Sequence, residues 1–188
     1  MIDIFLSASV PLPERNRRYF ETADVLSIRE AIKALVEVVL PIGRITFGGH
    51  PAITPLIALF VREAGLDRNK LTIFQSRFFE GVLPDENALF HNVRMVEAVD
   101  DDRELSLHAM RTTMIESRPF RAAVLIGGME GVVAEAALFS QLRRGAKILP
   151  IASTGAAAQD IFRQGRFPND LETELTYITL FRRYFSLR

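Results

Sequence analysis

Cysteine is absent from this chain of 188 residues, and neither sign of charge is in excess. Without cysteine, disulfides, thiolate catalysis and cysteine-ligated zinc sites are excluded. The 23 Lys and Arg residues balance the 23 Asp and Glu residues, which argues against a protein that binds nucleic acid through bulk positive charge. A local basic pocket for a phosphate group is compatible with that balance.

Long apolar runs, internal repeats and low-complexity tracts are missing as well. No segment stays apolar for the roughly 18 residues that a membrane-spanning helix needs, so we expect no such helix. The first residues have neither the basic region nor the apolar stretch of a signal peptide, and we expect a cytoplasmic protein. The length and the 48% hydrophobic content indicate one globular domain over residues 1–188.

Short apolar segments alternate with segments of helical character along the chain. Strands are predicted near residues 2–6, 44–47, 71–74, 93–99, 121–126 and 147–151. Helices are predicted near residues 28–39, 52–63, 103–116, 132–143, 156–164 and 171–187. This alternation predicts an α/β fold, in which a Rossmann-like parallel sheet carries helices on both faces. In such sheets ligands bind at the carboxyl ends of the strands.

Three local expectations concern the ends of these elements. Ser27, with Glu30 three residues later, forms a capping box that predicts the start of the first long helix. Residues 78–92 contain glycine, proline and several charges, and they predict a long surface loop. The segment 171–187 predicts one amphipathic helix, appended to the domain, with Leu175 on its apolar face.

The loop Gly48-Gly49-His50 follows a predicted strand and opens a predicted helix. Glycine lets a backbone approach a phosphate closely, and a helix N-terminus offers free N–H groups and the positive end of a dipole. The alternative is a tight turn without function. His50 could hydrogen-bond a ligand or transfer a proton, although a lone histidine is more often structural.

A second loop, Gly127-Gly128-Met129-Glu130-Gly131, has the same context and adds carboxylates. Glu135 lies one turn into the following helix, where it could bind ribose hydroxyls or assist departure of a base. The alternatives are that Glu130 only complements the helix dipole and that Glu135 lies at the surface. The neighbours of Glu135 are apolar, and a buried carboxylate favours a function.

Further candidate ligand-binding residues follow other predicted strands. The hydroxyls of Ser153 and Thr154, followed by Gly155, suit a phosphate or a ribose, or they serve only as helix caps. Ser7 and Ser9 end the first strand and are weaker members of the same set. Arginine is the usual partner of phosphate, and one precedes the second glycine loop, on the helix before its strand: Arg111.

These residues together carry a family resemblance. The string Ile-Gly-Gly-Met-Glu-Gly-Val-Val-Ala-Glu over residues 126–135 resembles the Pro-Gly-Gly-x-Gly-Thr-x-x-Glu signature of the LOG (lonely guy) phosphoribohydrolases. It is closer to the broader SLOG superfamily, which includes DprA-like proteins and ligand sensors of bacterial conflict systems. The other loops and residues 5–9 and 110–111 resemble the prokaryotic sensor branch, and the resemblance extends over residues 2–164.

The resemblance assigns roles to individual positions. Gly128 and Gly131 match glycines of the signature, Glu135 matches the catalytic glutamate, and Arg111 resembles the arginine that works with it. Met129 stands where the enzymes have glycine, and a valine at position 132 replaces the threonine that resembles a phosphate ligand. These two departures favour binding over hydrolysis.

Three functions follow as hypotheses. The first is a sensor that binds a nucleotide- or NAD-derived small molecule in bacterial signalling or antiviral defence. The second is a phosphoribohydrolase or N-glycosidase acting on nucleoside monophosphates through Glu135 and Arg111. The third is a structural partner subunit that docks through its C-terminal helix. The resemblance implies a homodimer, and a sensor without its own effector domain implies a separate effector protein. No metal and no cofactor are expected, and nucleic acid is not an expected partner.

Overall fold

A computed structural model describes residues 1–83 and 85–185 of the chain. Six parallel strands form one sheet in the order β4-β3-β2-β1-β5-β6. The strands are β1 (Ile2–Ser9), β2 (Gly43–Gly48), β3 (Leu71–Ser76), β4 (Val93–Val96), β5 (Ala122–Gly127) and β6 (Lys147–Ile151). The predicted Rossmann-like α/β fold is confirmed, and β4 ends earlier than the sequence suggested.

Eight α-helices connect and cover the strands in the described part of the chain. They are α1 (Arg17–Thr22), α2 (Val25–Val39), α3 (Thr54–Glu63), α4 (Arg103–Glu116), α5 (Glu130–Leu142), α6 (Ala156–Gln164), α7 (Asp170–Thr173) and α8 (Tyr177–Phe185). None of the helices in the described part combines the length and the apolar character needed to cross a membrane.

The strand order reverses at β1. The chain adds β2, β3 and β4 on one side of β1, and α4 then returns it to the other side, where β5 pairs with β1. Ligands of open parallel sheets bind outside the carboxyl ends of the strands at such a reversal. The topology therefore places the expected site beside the ends of β1, β2 and β5.

Alternating side chains of β1 pack into two cores on opposite faces of the sheet. Ile4 and Leu6 contact the core that contains α2, α3 and α8. Phe5 lies in the other core with α4 and α5, and its ring stacks on Phe139 with the centroids 5.5 Å apart. Each apolar face of a strand is thus covered by helices, as burial on both faces requires.

The capping box predicted at Ser27 is wrong. Helix α2 begins at Val25, and Asp24 caps it because its carboxylate accepts the backbone N–H of Ser27 at 2.9 Å. An earlier residue can satisfy the same orphan N–H groups, and an aspartate is as good a cap as a serine. The carboxylate of Glu30 contacts Arg29 instead of the helix start.

The predicted C-terminal helix is two helices, α7 and α8, and the chain is extended between them. The carboxylate of Glu174 accepts the backbone N–H of Thr176 at 2.9 Å, which turns the chain at the break. Leu175 lies in this break and is 67% exposed, so it is not part of an apolar face. Residues 186–187 of the prediction lie outside the described residues.

The segment predicted as a long surface loop contains two short 3-10 helices, Arg77–Val82 and Asp85–Leu89. The first begins directly after β3, where the hydroxyl of Ser76 accepts the N–H of Phe78 at 3.3 Å. This position places the segment over the carboxyl end of the sheet.

Candidate functional site

A cavity of about 280 Å³ opens at the carboxyl ends of β1, β2 and β3, beside the N-terminus of α5. Its two ends differ in chemistry. The side of β1, α4 and α5 supplies hydroxyl and charged groups, and the side of β2 and β3 supplies a glutamine and a neutral histidine, on which the positive charge of Arg15 acts. Apolar side chains close the rest of the wall, among them Phe79, Val82, Leu83, Leu107 and Met110.

Three side chains from three elements meet at the ionic end. Ser7 of β1 donates its hydroxyl to Glu135 Oε2 at 2.5 Å. Arg111 of α4 places Nε 3.5 Å from Glu135 Oε1, and that Nε has no hydrogen-bond partner among the described residues. The structure therefore brings together the serine, arginine and glutamate that were candidates from the sequence.

Burial dominates the electrostatics of Glu135, whose side chain is 14% exposed. Desolvation raises the pKa of the Glu135 carboxyl, while the Ser7 hydrogen bond and the Arg111 guanidinium act in the opposite direction. The alternative of a surface glutamate is wrong. A buried carboxyl with a raised pKa beside a cation in a cleft is typical of functional sites.

The neutral end is built from the loop after β2 and the end of β3. Gln75 of β3 is 5% exposed and donates Nε2–H to the carbonyl of Gly49 at 3.0 Å. A Cβ atom at position 49 would lie 2.0 Å from that Nε2, so only glycine leaves room for the amide. The glycine predicted to admit a phosphate thus admits the Gln75 side chain. Gly48 and His50 also line the cavity.

His50 is neutral at physiological pH. Burial, with the positive charge of Arg15, lowers the pKa of its imidazole to about 4. Its Nδ1 accepts the backbone N–H of Ala52 at 3.2 Å, which requires the proton of the neutral ring to be on Nε2. His50 therefore offers a hydrogen-bond donor rather than a cation.

The loop after β5 contributes to the cavity only in part. Met129 and Gly131 line it, and a Cβ at Gly131 would lie 3.4 Å from Arg111. Gly127 and Gly128 form the turn, with φ of 56° and 94°, and do not line the cavity. Outside it, the Glu130 carboxylate accepts the side-chain amide of Asn16.

Position 132 shapes the same turn. The side chain of Val132 lines the cavity and packs over Gly128, where its Cγ2 atom would be 2.3 Å from an added Cβ. An apolar group thus occupies the place from which the enzyme signature donates a hydroxyl. Ser9 lines the cavity too, and its carbonyl accepts the N–H of Gly128 at 2.9 Å.

The residues after β6 lie outside the cavity. Thr154 is fully buried, accepts the N–H of Gly127 at 2.8 Å and donates to the carbonyl of Ile151 at 2.6 Å. The Ser153 hydroxyl hydrogen-bonds with that of Tyr177 at 3.0 Å. At Gly155 an added Cβ would lie 1.9 Å from the carbonyl oxygen of Thr22. Ser153, Thr154 and Gly155 thus contact other residues of the chain and do not line the cavity.

Sequence reasoning missed several lining residues. Gln75 is the next residue after the predicted third strand, so the rule that located the other loops would have found it. Arg15 and Arg103 come from segments with no motif, and no local signal marks them. Phe79 and Val82 of the first 3-10 helix line the cavity, although the sequence predicted a surface loop there. The residues that they face across the cavity are distant in sequence, so no local pattern marks them.

No three His, Asp or Glu side chains converge into a metal-binding cluster within residues 1–83 and 85–185. The cavity instead combines three arginines, one buried carboxylate, two serines, a glutamine and a neutral histidine. This set can bind an anion and hydrogen-bond a neutral polar group in one pocket.

The fold and the site define a Rossmann-like protein with its cavity at the reversal of the strand order. The chain belongs to the SLOG cluster3 family, whose sequence model matches residues 18–185. The crystal structure of TM1055, a structural genomics target, has a TM-score of 0.61 with 13% identity, covering 98% of this chain and 100% of that one. This similarity shows a shared fold. No curated protein matches the chain.

Proposed function

We propose that this protein binds a phosphorylated small molecule derived from a nucleotide or from NAD, and that it recognises this ligand rather than turning it over. The observation that carries the proposal is the meeting of Ser7, Arg111 and Glu135 in one cavity at the strand reversal. The family resemblance favours a sensor in bacterial signalling or defence.

Charge supports a phosphorylated ligand. Arg15, Arg103 and Arg111 line the cavity, whereas Glu135 is its one carboxylate among the described lining residues. A guanidinium pairs with two phosphate oxygens at once, which adds both energy and orientation. Glu135 and Ser7 are suited to the hydroxyls of a ribose, because a carboxylate accepts and a hydroxyl both donates and accepts.

Two features argue against rapid hydrolysis of the ligand. The Val132 side chain offers no hydroxyl to a phosphate, and a lost hydrogen bond to a charged group costs about 1.5–3 kcal/mol. Met129 adds a long side chain, 4% exposed, at the start of α5.

A binding experiment tests the proposal. Isothermal titration calorimetry with AMP, ADP, ADP-ribose, NAD and cyclic dinucleotides should give saturable binding of at least one of them. The Arg111→Ala variant should lose about tenfold or more in affinity, since a charged hydrogen bond contributes about 1.5–3 kcal/mol. Arg166→Ala is the matched control, because Arg166 is exposed and outside the cavity. Equal losses in both variants would refute the site.

The second candidate function is a phosphoribohydrolase, and the separation of 3.5 Å between Arg111 and Glu135 favours it. In that reaction the glutamate would stabilise positive charge on the ribose while the arginine holds the phosphate. Release of adenine from AMP, measured for wild type and Glu135→Ala, separates the two functions. Multiple turnovers that disappear in the variant would replace the sensor with the enzyme.

We also propose a homodimer that signals to a separate effector protein. Four large apolar side chains between residues 12 and 26 are exposed, which suits an interaction surface: Leu12, Phe20, Val25 and Leu26. Light scattering at micromolar concentration should give twice the chain mass. A monomer at that concentration would contradict the dimer.

A further inference from the structure

We propose that Gln75 and His50 select the ligand by its base, by binding an edge that carries a hydrogen-bond donor next to an acceptor, as adenine does. The inference rests on the proposed function, since it names the base that the nucleotide would carry. It deepens that function because it separates recognition of the base from recognition of the ribose and phosphate.

The orientation of the Gln75 carboxamide is determined by its neighbour. A carbonyl can only accept, so the nitrogen of the amide must face the Gly49 oxygen, 3.0 Å away. Oε1 then points away from Gly49, and no residue in the described ranges donates a hydrogen bond to it. Because Gln75 lines the cavity and is 5% exposed, this oxygen is an acceptor held in a nearly buried place.

The orientation of His50 is determined in the same way. The Ala52 N–H donates to Nδ1 at 3.2 Å, so the ring proton lies on Nε2. No described residue accepts that proton. The low pKa of the imidazole keeps this donor neutral throughout the physiological range. The cavity wall thus presents one neutral donor and one neutral acceptor from adjacent strand ends.

The two groups of this pair are uncharged, which suits a base, and the cation that acts on His50 is Arg15. Gln75 belongs to β3 and Ser7 to β1, with β2 between them, so about 10 Å separates the two ends of the cavity. An elongated ligand is needed to reach both. Phe79, Val82 and Leu83 close the wall that follows β3, and such apolar and aromatic surface suits the flat face of a base.

Adenine and hypoxanthine distinguish this inference from simple apolar binding. Adenine presents an amino donor beside a ring-nitrogen acceptor, which pairs with Gln75 Oε1 and His50 Nε2–H. Hypoxanthine has nearly the same shape but presents the reverse order, a carbonyl acceptor beside an N–H donor. It would place acceptor against acceptor and donor against donor. A site built to hydrogen-bond one pattern rejects its reverse strongly.

The first experiment needs only the unaltered protein. Calorimetry compares AMP with IMP, ADP with IDP, and NAD with its hypoxanthine analogue, so that phosphate and ribose are identical within each pair. For every pair that binds, we expect the adenine member to bind at least about tenfold tighter. Equal affinity, or tighter binding of the hypoxanthine member, would overturn the inference while leaving a nucleotide-binding function in place. Absence of binding in all pairs would overturn the proposed function and this inference together.

Variants then assign the selectivity to the pair. Gln75→Leu and His50→Phe should each bring the adenine-to-hypoxanthine affinity ratio close to one. Gly49→Ala should do the same without removing a functional group, because its Cβ would displace the Gln75 amide. A ratio unchanged in all three variants would refute the assignment.

Glu135→Gln is the matched control at the other end of the cavity. It should weaken both members of a pair by the same factor and leave the ratio unchanged, because Glu135 contacts Ser7 and Arg111 rather than the neutral end. Gln164→Leu, at an exposed position outside the cavity, should change neither affinity. A ratio that changes as much in Glu135→Gln as in Gln75→Leu would refute a division of the site into two ends.

Discussion

The loops after β2 and β6 look alike in sequence and differ in what they do. Each lies at the end of a parallel strand, contains small residues and precedes a helix. Gly48-Gly49-His50 begins with the last residue of β2 and precedes α3, and Ser153-Thr154-Gly155 follows β6 and precedes α6. The first lines the cavity, and the second contacts the rest of the fold instead. Small residues after a strand therefore indicate a tight backbone, and only topology decides whether a ligand or protein occupies the space.

Strand order explains the difference. β2 is next to β1, where the order reverses, whereas β6 is at the edge of the sheet beyond β5. At the edge, the end of α1 and the turn after β5 already fill the room that a ligand would need. Thr154 hydrogen-bonds Gly127, and Gly155 lies against Thr22. The hydroxyl and the glycine thus stabilise the turn on which Met129 and α5 depend.

The largest effect is expected at Gly155. Its φ is 73° and an added Cβ would meet the Thr22 carbonyl oxygen at 1.9 Å, so Gly155→Ala should lower the free energy of unfolding by on the order of 4 kcal/mol. Gly65→Ala is the control, because Gly65 also has positive φ but open space around it, and it should cost about 1 kcal/mol. Urea denaturation measures both. Similar losses in the two variants would contradict tight packing at Gly155.

The second effect concerns His50 and appears in acid. The pKa of His50 in the folded chain, about 4, lies below the ordinary 6.5. Between these two values the unfolded chain binds a proton at His50 and the folded chain does not. The stability that depends on a neutral His50 is complete above pH 6.5 and should fall by about 3 kcal/mol as pH approaches 4. His50→Asn should lack this component. Denaturation curves from pH 7 to 4 test it, and parallel profiles for the two proteins would contradict the buried neutral imidazole.

A third effect is expected at Thr154. Thr154→Val keeps the shape but removes the hydroxyl that bonds Gly127 and Ile151, and it should cost about 2 kcal/mol. Thr154→Ser retains the hydroxyl and should cost less, about 1 kcal/mol for the lost methyl group. Thermal melts of both variants provide the comparison. If the valine variant is the more stable of the two, the hydroxyl is not structural.

The smallest effect is expected at Gly48, the last residue of β2. An added Cβ would be 3.6 Å from Met114 and 3.7 Å from Met110, which are ordinary contacts. Gly48→Ala should therefore change the free energy of unfolding by less than about 1 kcal/mol. The same denaturation assay measures it beside Gly155→Ala. A loss as large as that of Gly155→Ala would remove the distinction between the two loops.

Much of the fold could be predicted because its strands are runs of apolar residues and several of the loops that follow them contain glycine, serine or threonine. The segment 122–127 is apolar on both faces, a pattern that a buried parallel strand requires. Helix ends were less predictable, since Asp24 and Ser27 are both good caps and only packing chooses between them. The break between α7 and α8 could not be predicted from the sequence, because it depends on a single hydrogen bond from the backbone N–H of Thr176 to the carboxylate of Glu174.

The ionic end of the site was predictable, and so was the loop Gly48-Gly49-His50 at the neutral end, but Gln75 was missed. Glu135 and Arg111 stand out in sequence, one as a carboxylate among apolar residues and one through the family resemblance. Gln75 gains its role only because the carbonyl of Gly49, just after the neighbouring strand, orients its amide. Contacts between residues far apart in sequence have no local signature, which is why the pairing of His50 with Gln75 emerged only from the structure.

The central position of β1 has a consequence for protein synthesis. β1 pairs with β2 on one edge and with β5 on the other, yet β5 is made only after residues 43–116 have been translated. During that interval the edge of β1 that carries Ser7 is unpaired, and an open strand edge invites wrong partners. A nascent chain at this stage already has Gln75 and His50 but lacks Glu135. A ligand that contacts both Gln75 and Glu135, as proposed, would therefore bind only after α5 has been made.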